Sequence, residues 1–108
     1  MNKITLMGRL CKDTEVLESN KGVKMFKNTL AVKRKMNKDI TDFISIIAFN
    51  KVAELICDYY KKGDTLLLTG NLQINDNGKD GDEKKLYTTV IVEEIFFTGS
   101  AKKKDDLI

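Results

Sequence analysis

The segment Thr41 to Asn50 reads Thr-Asp-Phe-Ile-Ser-Ile-Ile-Ala-Phe-Asn, and its alternation puts apolar side chains on both faces of a strand. Ile44, Ile46 and Ala48 form one face; Phe43, Ile47 and Phe49 form the other. A strand in a small antiparallel domain normally turns polar residues to water on one side. This one therefore demands either a second core or a binding platform. At 108 residues the chain is long enough for one core and too short for two, so Ile44, Ile46 and Ala48 are expected to face a barrel interior. Phe43 and Phe49 are then left on the outside, about 20 Å apart at about 3.3 Å per residue.

The remaining elements follow from where the apolar period changes. A first strand over about Lys3 to Cys11 has Gly8 in its middle, where a bend or bulge is expected. The turn Ser19-Asn20-Lys21-Gly22 precedes a second strand, Val23 to Arg34, and Met36-Asn37-Lys38-Asp39 turns into the third, Thr41 to Asn50. From Lys51 to Lys62 the spacing of Val52, Leu55, Ile56, Tyr59 and Tyr60 predicts a short amphipathic helix. Asn50 is its expected N-cap, Glu54 is placed in its first turn, and Gly63 is the expected C′ residue. A fourth strand is expected over Thr65 to Ile74, a polar hairpin connection over Asn75 to Lys85, and a fifth strand over Leu86 to Phe97. Residues 1–98 thus form the domain, and residues 99–108 are expected to be a short flexible tail. Five strands with one helix between the third and fourth is the order of an all-β, OB-fold Greek-key barrel, which commonly binds oligonucleotides on strands 2 and 3.

Composition removes several classes of function. The chain has no histidine, so neither a Ser-His nor a Cys-His nucleophile pair can be built within it. Two widely separated cysteines, Cys11 and Cys57, supply no zinc ligand set and are expected to be reduced thiols. The acidic loop fails as an EF-hand that begins at Asp76, because Gly78 and Tyr87 occupy the third and twelfth positions. No metal, cofactor or catalytic residue is expected. No apolar run reaches the roughly 20 residues of a membrane span, and the start, Met-Asn-Lys-Ile, lacks a signal peptide's apolar segment. A cytoplasmic location is the expectation.

Charge supplies the positive argument. The net charge is only +3, yet residues 21–51 carry eight Lys or Arg against Asp39 and Asp42. That basic excess coincides with the aromatic strand. Cations interleaved with aromatic rings suit a flexible polyanion that also has π faces, namely single-stranded nucleic acid. Stacking is assigned to Phe43, Phe49 and Tyr87, and phosphate contact to Lys3, Arg9, Lys33, Arg34, Lys35 and Lys51. Lys24 and Lys27 fall on opposite faces, so only one of them can join the track. The competing reading is an OB-fold protein-interaction module whose Phe43 and Phe49 face packs on a protein, with nucleic acid incidental. A metal-dependent nuclease site in the acidic loop ranks below both, since no scaffold holds those carboxylates.

Read in order, Met1-Asn2-Lys3-Ile4, Gly8-Arg9-Leu10, Asp13, Gly22-Val23, Leu30-Ala31-Val32, Phe43, Phe49, Ala53-Glu54, Tyr60-Lys61-Lys62-Gly63, Gly70-Asn71-Leu72 and Tyr87-Thr88-Thr89-Val90 form a series. The series resembles the bacterial single-stranded DNA-binding protein family over nearly all of residues 1–98. The resemblance implies a homotetramer of OB-fold subunits that wraps single-stranded DNA without sequence preference during replication, recombination or repair. It places base stacking at Phe43 and Phe49 and two further stacking positions at Met36 and Asn77, neither of them aromatic here. Met36 retains a polarizable sulfur that can lie on a base, whereas Asn77 stacks poorly, so weaker binding per subunit is expected. The tip Asp105-Asp106-Leu107-Ile108 lacks the long linker and Pro-Phe ending through which the family recruits replication and repair proteins. In that respect the chain is similar to short forms carried by phages and mobile elements.

Overall fold

The computed structural model describes residues 1–98, and the expected tail from Gly99 lies outside the described residues. The chain forms β1 (Ile4–Leu10), β2 (Leu17–Glu18), β3 (Lys24–Lys33), β4 (Thr41–Phe49), α1 (Asn50–Tyr59), β5 (Thr65–Asp76) and β6 (Leu86–Phe96), with a 3₁₀ turn at Gly81–Glu83. All five expected strands are present in order. The two-residue β2 was not expected, because a pair of residues has no period to read; it lines the edge of β3 with Leu17 opposite Met25.

Pairing runs from β1 to β5, β6, β4 and β3, and β3 returns to β1, which closes a five-stranded barrel. Every contact is antiparallel except β4 with β6. This is the expected OB-fold barrel, with α1 between its third and fourth strands. Inside lie Leu10, Phe26, Leu30, Ile46, Ala48, Leu66, Leu68, Val90 and Val92, and α1 adds Ala53 and Ile56 to the same core. Ile44 packs against this core from its rim. At the far end of β6, Phe97 meets Tyr59 edge-on at 4.9 Å between ring centroids.

Closure requires two close backbone approaches. A Cβ on Gly8 would lie 2.4 Å from the Ala31 carbonyl oxygen, and one on Gly70 would lie 2.1 Å from that of Ile91. Gly8 thus lets β1 cross tightly over β3. Gly70 sits at a bulge in the β5–β6 register, where Thr69 pairs with Glu94 but Gly70 with Val92. The extra residue, Glu93, changes which side of β6 faces in, so that Val92 and Ile95 both contact the core.

Other expectations are corrected at the ends of α1. The helix begins at Asn50 itself, after an extended Phe49, and Asn50 takes a positive φ of 50°. Its carboxamide oxygen accepts the Lys24 backbone N–H at 3.3 Å instead of capping the helix. Glu54 lies beyond the first turn and is held by Lys24. At the other end the cap is Tyr60, and Gly63, with φ of 91°, belongs to the following turn, where its N–H donates to the Leu10 carbonyl at 2.8 Å. Nearby, the Thr14 hydroxyl donates to the Tyr60 carbonyl at 2.9 Å. The β5–β6 ladder also runs further than expected, to Asp76 opposite Leu86. Cys11 and Cys57 are not joined in a disulfide, and both are partly buried.

Candidate nucleic-acid interface

The outer face of β4 is positioned by its neighbours on both sides. On β3, Met25 opposes Phe49, Lys27 opposes Ile47, Thr29 opposes Ser45, Ala31 opposes Phe43 and Lys33 opposes Thr41. On β6, Thr89 opposes Ser45 and Ile91 opposes Ile47. These strands run parallel, so two residues earlier on each come Phe43 and Tyr87, on the same outer face. Phe43 is 69% exposed, Tyr87 52% and Phe49 39%. The rings assigned to stacking therefore share one face and meet water, as a platform for bases requires.

Along β4, Ser45 and Ile47 lie between Phe43 and Phe49. Ala31 and Ser45 rise little above the sheet, so the flat faces of Phe43 and its neighbours stay accessible. Met36 lies in the β3–β4 hairpin loop and is almost fully exposed. That loop is held at its base, where the Arg34 N–H donates to the Ile40 carbonyl at 3.0 Å. Asn77 is committed elsewhere: its amide nitrogen donates to the Glu83 carbonyl at 2.7 Å and its amide oxygen accepts the Lys79 N–H at 3.1 Å. It shapes the β5–β6 tip with both ends of its carboxamide held by backbone.

The assigned cations divide into two groups. Among the described residues Arg9, Lys33, Lys35 and Lys51 have no ion-pair partner. Arg9 opposes Ala31 on β1, which sets Arg9, Ala31 and Phe43 in one row across three strands. Lys33 shares the outer side of β3 with Ala31, and Lys51 follows Phe49 and Asn50 at the start of α1. Arg34 and Lys3 depart from the expectation. Arg34 continues the inward alternation of β3 past the barrel rim and meets Asp42, which alternates with Phe43. Its Nε donates to Asp42 at 3.0 and 3.3 Å and its Nη2 at 3.1 Å. That pairing makes the guanidinium hold its proton more tightly than usual. Lys3 stands beside Glu93 at 4.0 Å, with β5 and β6 between it and β4.

Lys24 and Lys27 differ in their surroundings. Lys24 Nζ donates to Glu54, and this hydrogen bond raises the lysine's pKa and lowers the carboxylate's. Lys27 is exposed, has no ion-pair partner among the described residues and faces outward beside Ile47. It lies on the same outer side of β3 as Lys33, as the shared parity of the two positions indicates. Among the described residues no group of His, Cys, Asp and Glu is arranged to hold a metal ion, and no helix is long and apolar enough to cross a membrane.

The sequence model of the Single-strand binding protein family matches residues 1–98. A single-stranded DNA-binding protein of Clostridium perfringens is 40% identical over 101 residues, covering 93% of this chain and 67% of its own length. The Fusobacterium nucleatum protein of the same name is 35% identical, covering 94% and 69%. That of Bacillus cereus is 36% identical, and there the match spans 87% of this chain but only 57% of the relative. A crystal structure of an SSB domain from Synechococcus superposes with a TM-score of 0.69 at 16% identity, over 90% of this chain and 96% of that one, a likeness of fold.

Proposed function

Since this chain belongs to the single-strand binding protein family, we propose that it binds single-stranded DNA without reading sequence, through the outer face of β3, β4 and β6. One observation carries the proposal: Phe43, Phe49 and Tyr87 are exposed on a single face that also carries Lys27 and Lys33. Stacking tolerates any base because every base has a π face, and each stacked base is worth about 1–3 kcal/mol. Arg9, Lys33, Lys35 and Lys51 neutralise phosphates around that face, with Met36 able to reach a base from the hairpin loop. Binding of this kind covers and protects a strand during replication, recombination or repair, and involves no catalytic step.

In this reading residues 1–98 are the DNA-binding domain and residues 99–108 a separate tail. The copies assemble as a homotetramer, and the protein works as a soluble protein of the cytoplasm. Fluorescence anisotropy with oligo-dT and with a duplex of equal length tests the reading. The single strand should bind far more tightly, with affinity falling as salt rises. Equal affinity for the two, or affinity indifferent to salt, would overturn it.

A further inference from the structure

The β3–β4 ladder ends at Lys33 opposite Thr41, and residues 34–40 form the loop between them. Thr41 stands two residues from Phe43 along β4, about 7 Å at about 3.3 Å per residue. The loop therefore opens beside the first ring of the platform, and it carries Lys35 and Met36, both exposed. Its sequence, Arg-Lys-Met-Asn-Lys-Asp-Ile, has no proline, so no locked backbone angle sets its direction. Local bonds close the tip: the Ile40 N–H donates to the Asn37 carbonyl at 3.1 Å, and the Asp39 N–H to the Asn37 carboxamide oxygen at 3.1 Å. These shape the turn without tying it to the barrel.

Arg34 and Asp42 make that tie. Asp42 pairs with Val32 across the ladder, so Arg34 reaches it diagonally. Nε meets both carboxylate oxygens, at 3.0 and 3.3 Å, and Nη2 meets one of them at 3.1 Å. Two guanidinium nitrogens on one carboxylate fix orientation as well as distance, which a lysine cannot do. Along the chain Asp42 adjoins Phe43 and Arg34 adjoins Lys35. The fork thus joins the backbone that presents the ring to the backbone that presents Met36, and it does so from the side of the sheet opposite Phe43. Both partners are about half exposed, and exposed ion pairs add little to stability.

We propose that Arg34 and Asp42 are positioning residues for DNA binding: their fork aims the β3–β4 loop so that Met36 lies on a base neighbouring the one stacked on Phe43. Neither residue of the fork touches the strand. This inference deepens the DNA-binding reading above and rests on it.

A double-mutant cycle on oligo-dT affinity, read by anisotropy with urea midpoints on the same preparations, tests the fork. Met36→Ala should weaken binding by about 2- to 10-fold, the worth of a thioether on a ring. Arg34→Ala should weaken it by a similar factor, with the salt slope and the urea midpoint unchanged. In the Arg34→Ala background, Met36→Ala should cost nothing further, because the side chain is no longer aimed at a base. Arg34→Lys keeps the charge without the fork and should lose most of the same affinity. On an oligomer of abasic spacers of equal length none of these variants should differ from wild type. Additive losses at Arg34 and Met36 would overturn the proposal, as would wild-type affinity in Met36→Ala or in Arg34→Lys. So would a salt slope lowered by about 0.7 in Arg34→Ala, which would make Arg34 a phosphate contact, or a large drop in its urea midpoint, which would make the fork a prop of the fold. Failure of the wild-type protein to bind oligo-dT would remove the DNA-binding reading itself, and the positioning role with it.

Discussion

Phe26 and Phe43 lie on adjoining strands, and each stands directly opposite an alanine, Ala48 and Ala31 respectively. One is completely buried and the other 69% exposed. Residue type and cross-strand partner are the same, so the side of the sheet decides the outcome. Phe26 shares the core with Ala53 and Ile56 of α1, which covers one end of the barrel. Among the described residues nothing covers Phe43. A ring in the first position stabilises the fold; a ring in the second gains little from folding and can receive a ligand.

The comparison breaks if the two faces prove interchangeable, and the strongest test is on the inner side. Phe26→Ala should destabilise the domain by about 3–5 kcal/mol in urea unfolding, since it empties a fully packed site. A loss below about 1 kcal/mol would mean that the barrel collapses around the cavity more readily than its packing implies. Next, Gly70→Ala should cost about 1–3 kcal/mol by forcing a methyl group against the Ile91 carbonyl, measured by the same unfolding. That result would confirm that the bulge, and with it the side on which Tyr87 and Ile91 emerge, depends on this contact.

The outer side is sharpened by its cations. Lys33→Ala should reduce the slope of log affinity against log salt for oligo-dT by about 0.7. Arg34→Ala should leave that slope unchanged, because its charge is held by Asp42 away from the Phe43 face. The smallest effect is expected at Glu54. Lys24 lowers the Glu54 pKa in the folded state, so the pair stabilises the fold above the ordinary carboxylate range and is lost as pH falls through the lowered value. Glu54→Gln should therefore depress Tm slightly at neutral pH, with the difference from wild type vanishing at acid pH. A difference that persists in acid would assign the effect to packing.

Much of this was legible because alternation within a regular strand is a geometric rule. The split of β4 into Ile44, Ile46 and Ala48 inside and Phe43 and Phe49 outside needs only the period of two. What failed was local geometry at the ends of elements. Asn50 has the composition of a helix cap but adopts a left-handed backbone and bonds to β3. Gly63 resembles a C′ glycine, yet the chain leaves the helix earlier and spends that glycine on a turn against Leu10. Arg34 looked like one more member of a basic run, and its distance from the platform follows from alternation carried past the rim, where the strand pattern gave no reason to extend it. Asn28 gave no signal at all, although its buried carboxamide bonds both the N–H and the carbonyl of Lys12, at 3.1 and 3.0 Å. Such contacts depend on which segments the barrel brings together, and no period records that.

The central claim is that the outer face of β4 binds DNA and does not hold the fold. It is tested most directly by measuring oligo-dT affinity and the urea midpoint on the same preparation of Phe43→Ala. Affinity should fall by about 1–3 kcal/mol while the midpoint stays at the wild-type value. An unfolded or strongly destabilised protein, or one that binds oligo-dT as tightly as wild type, would contradict the account.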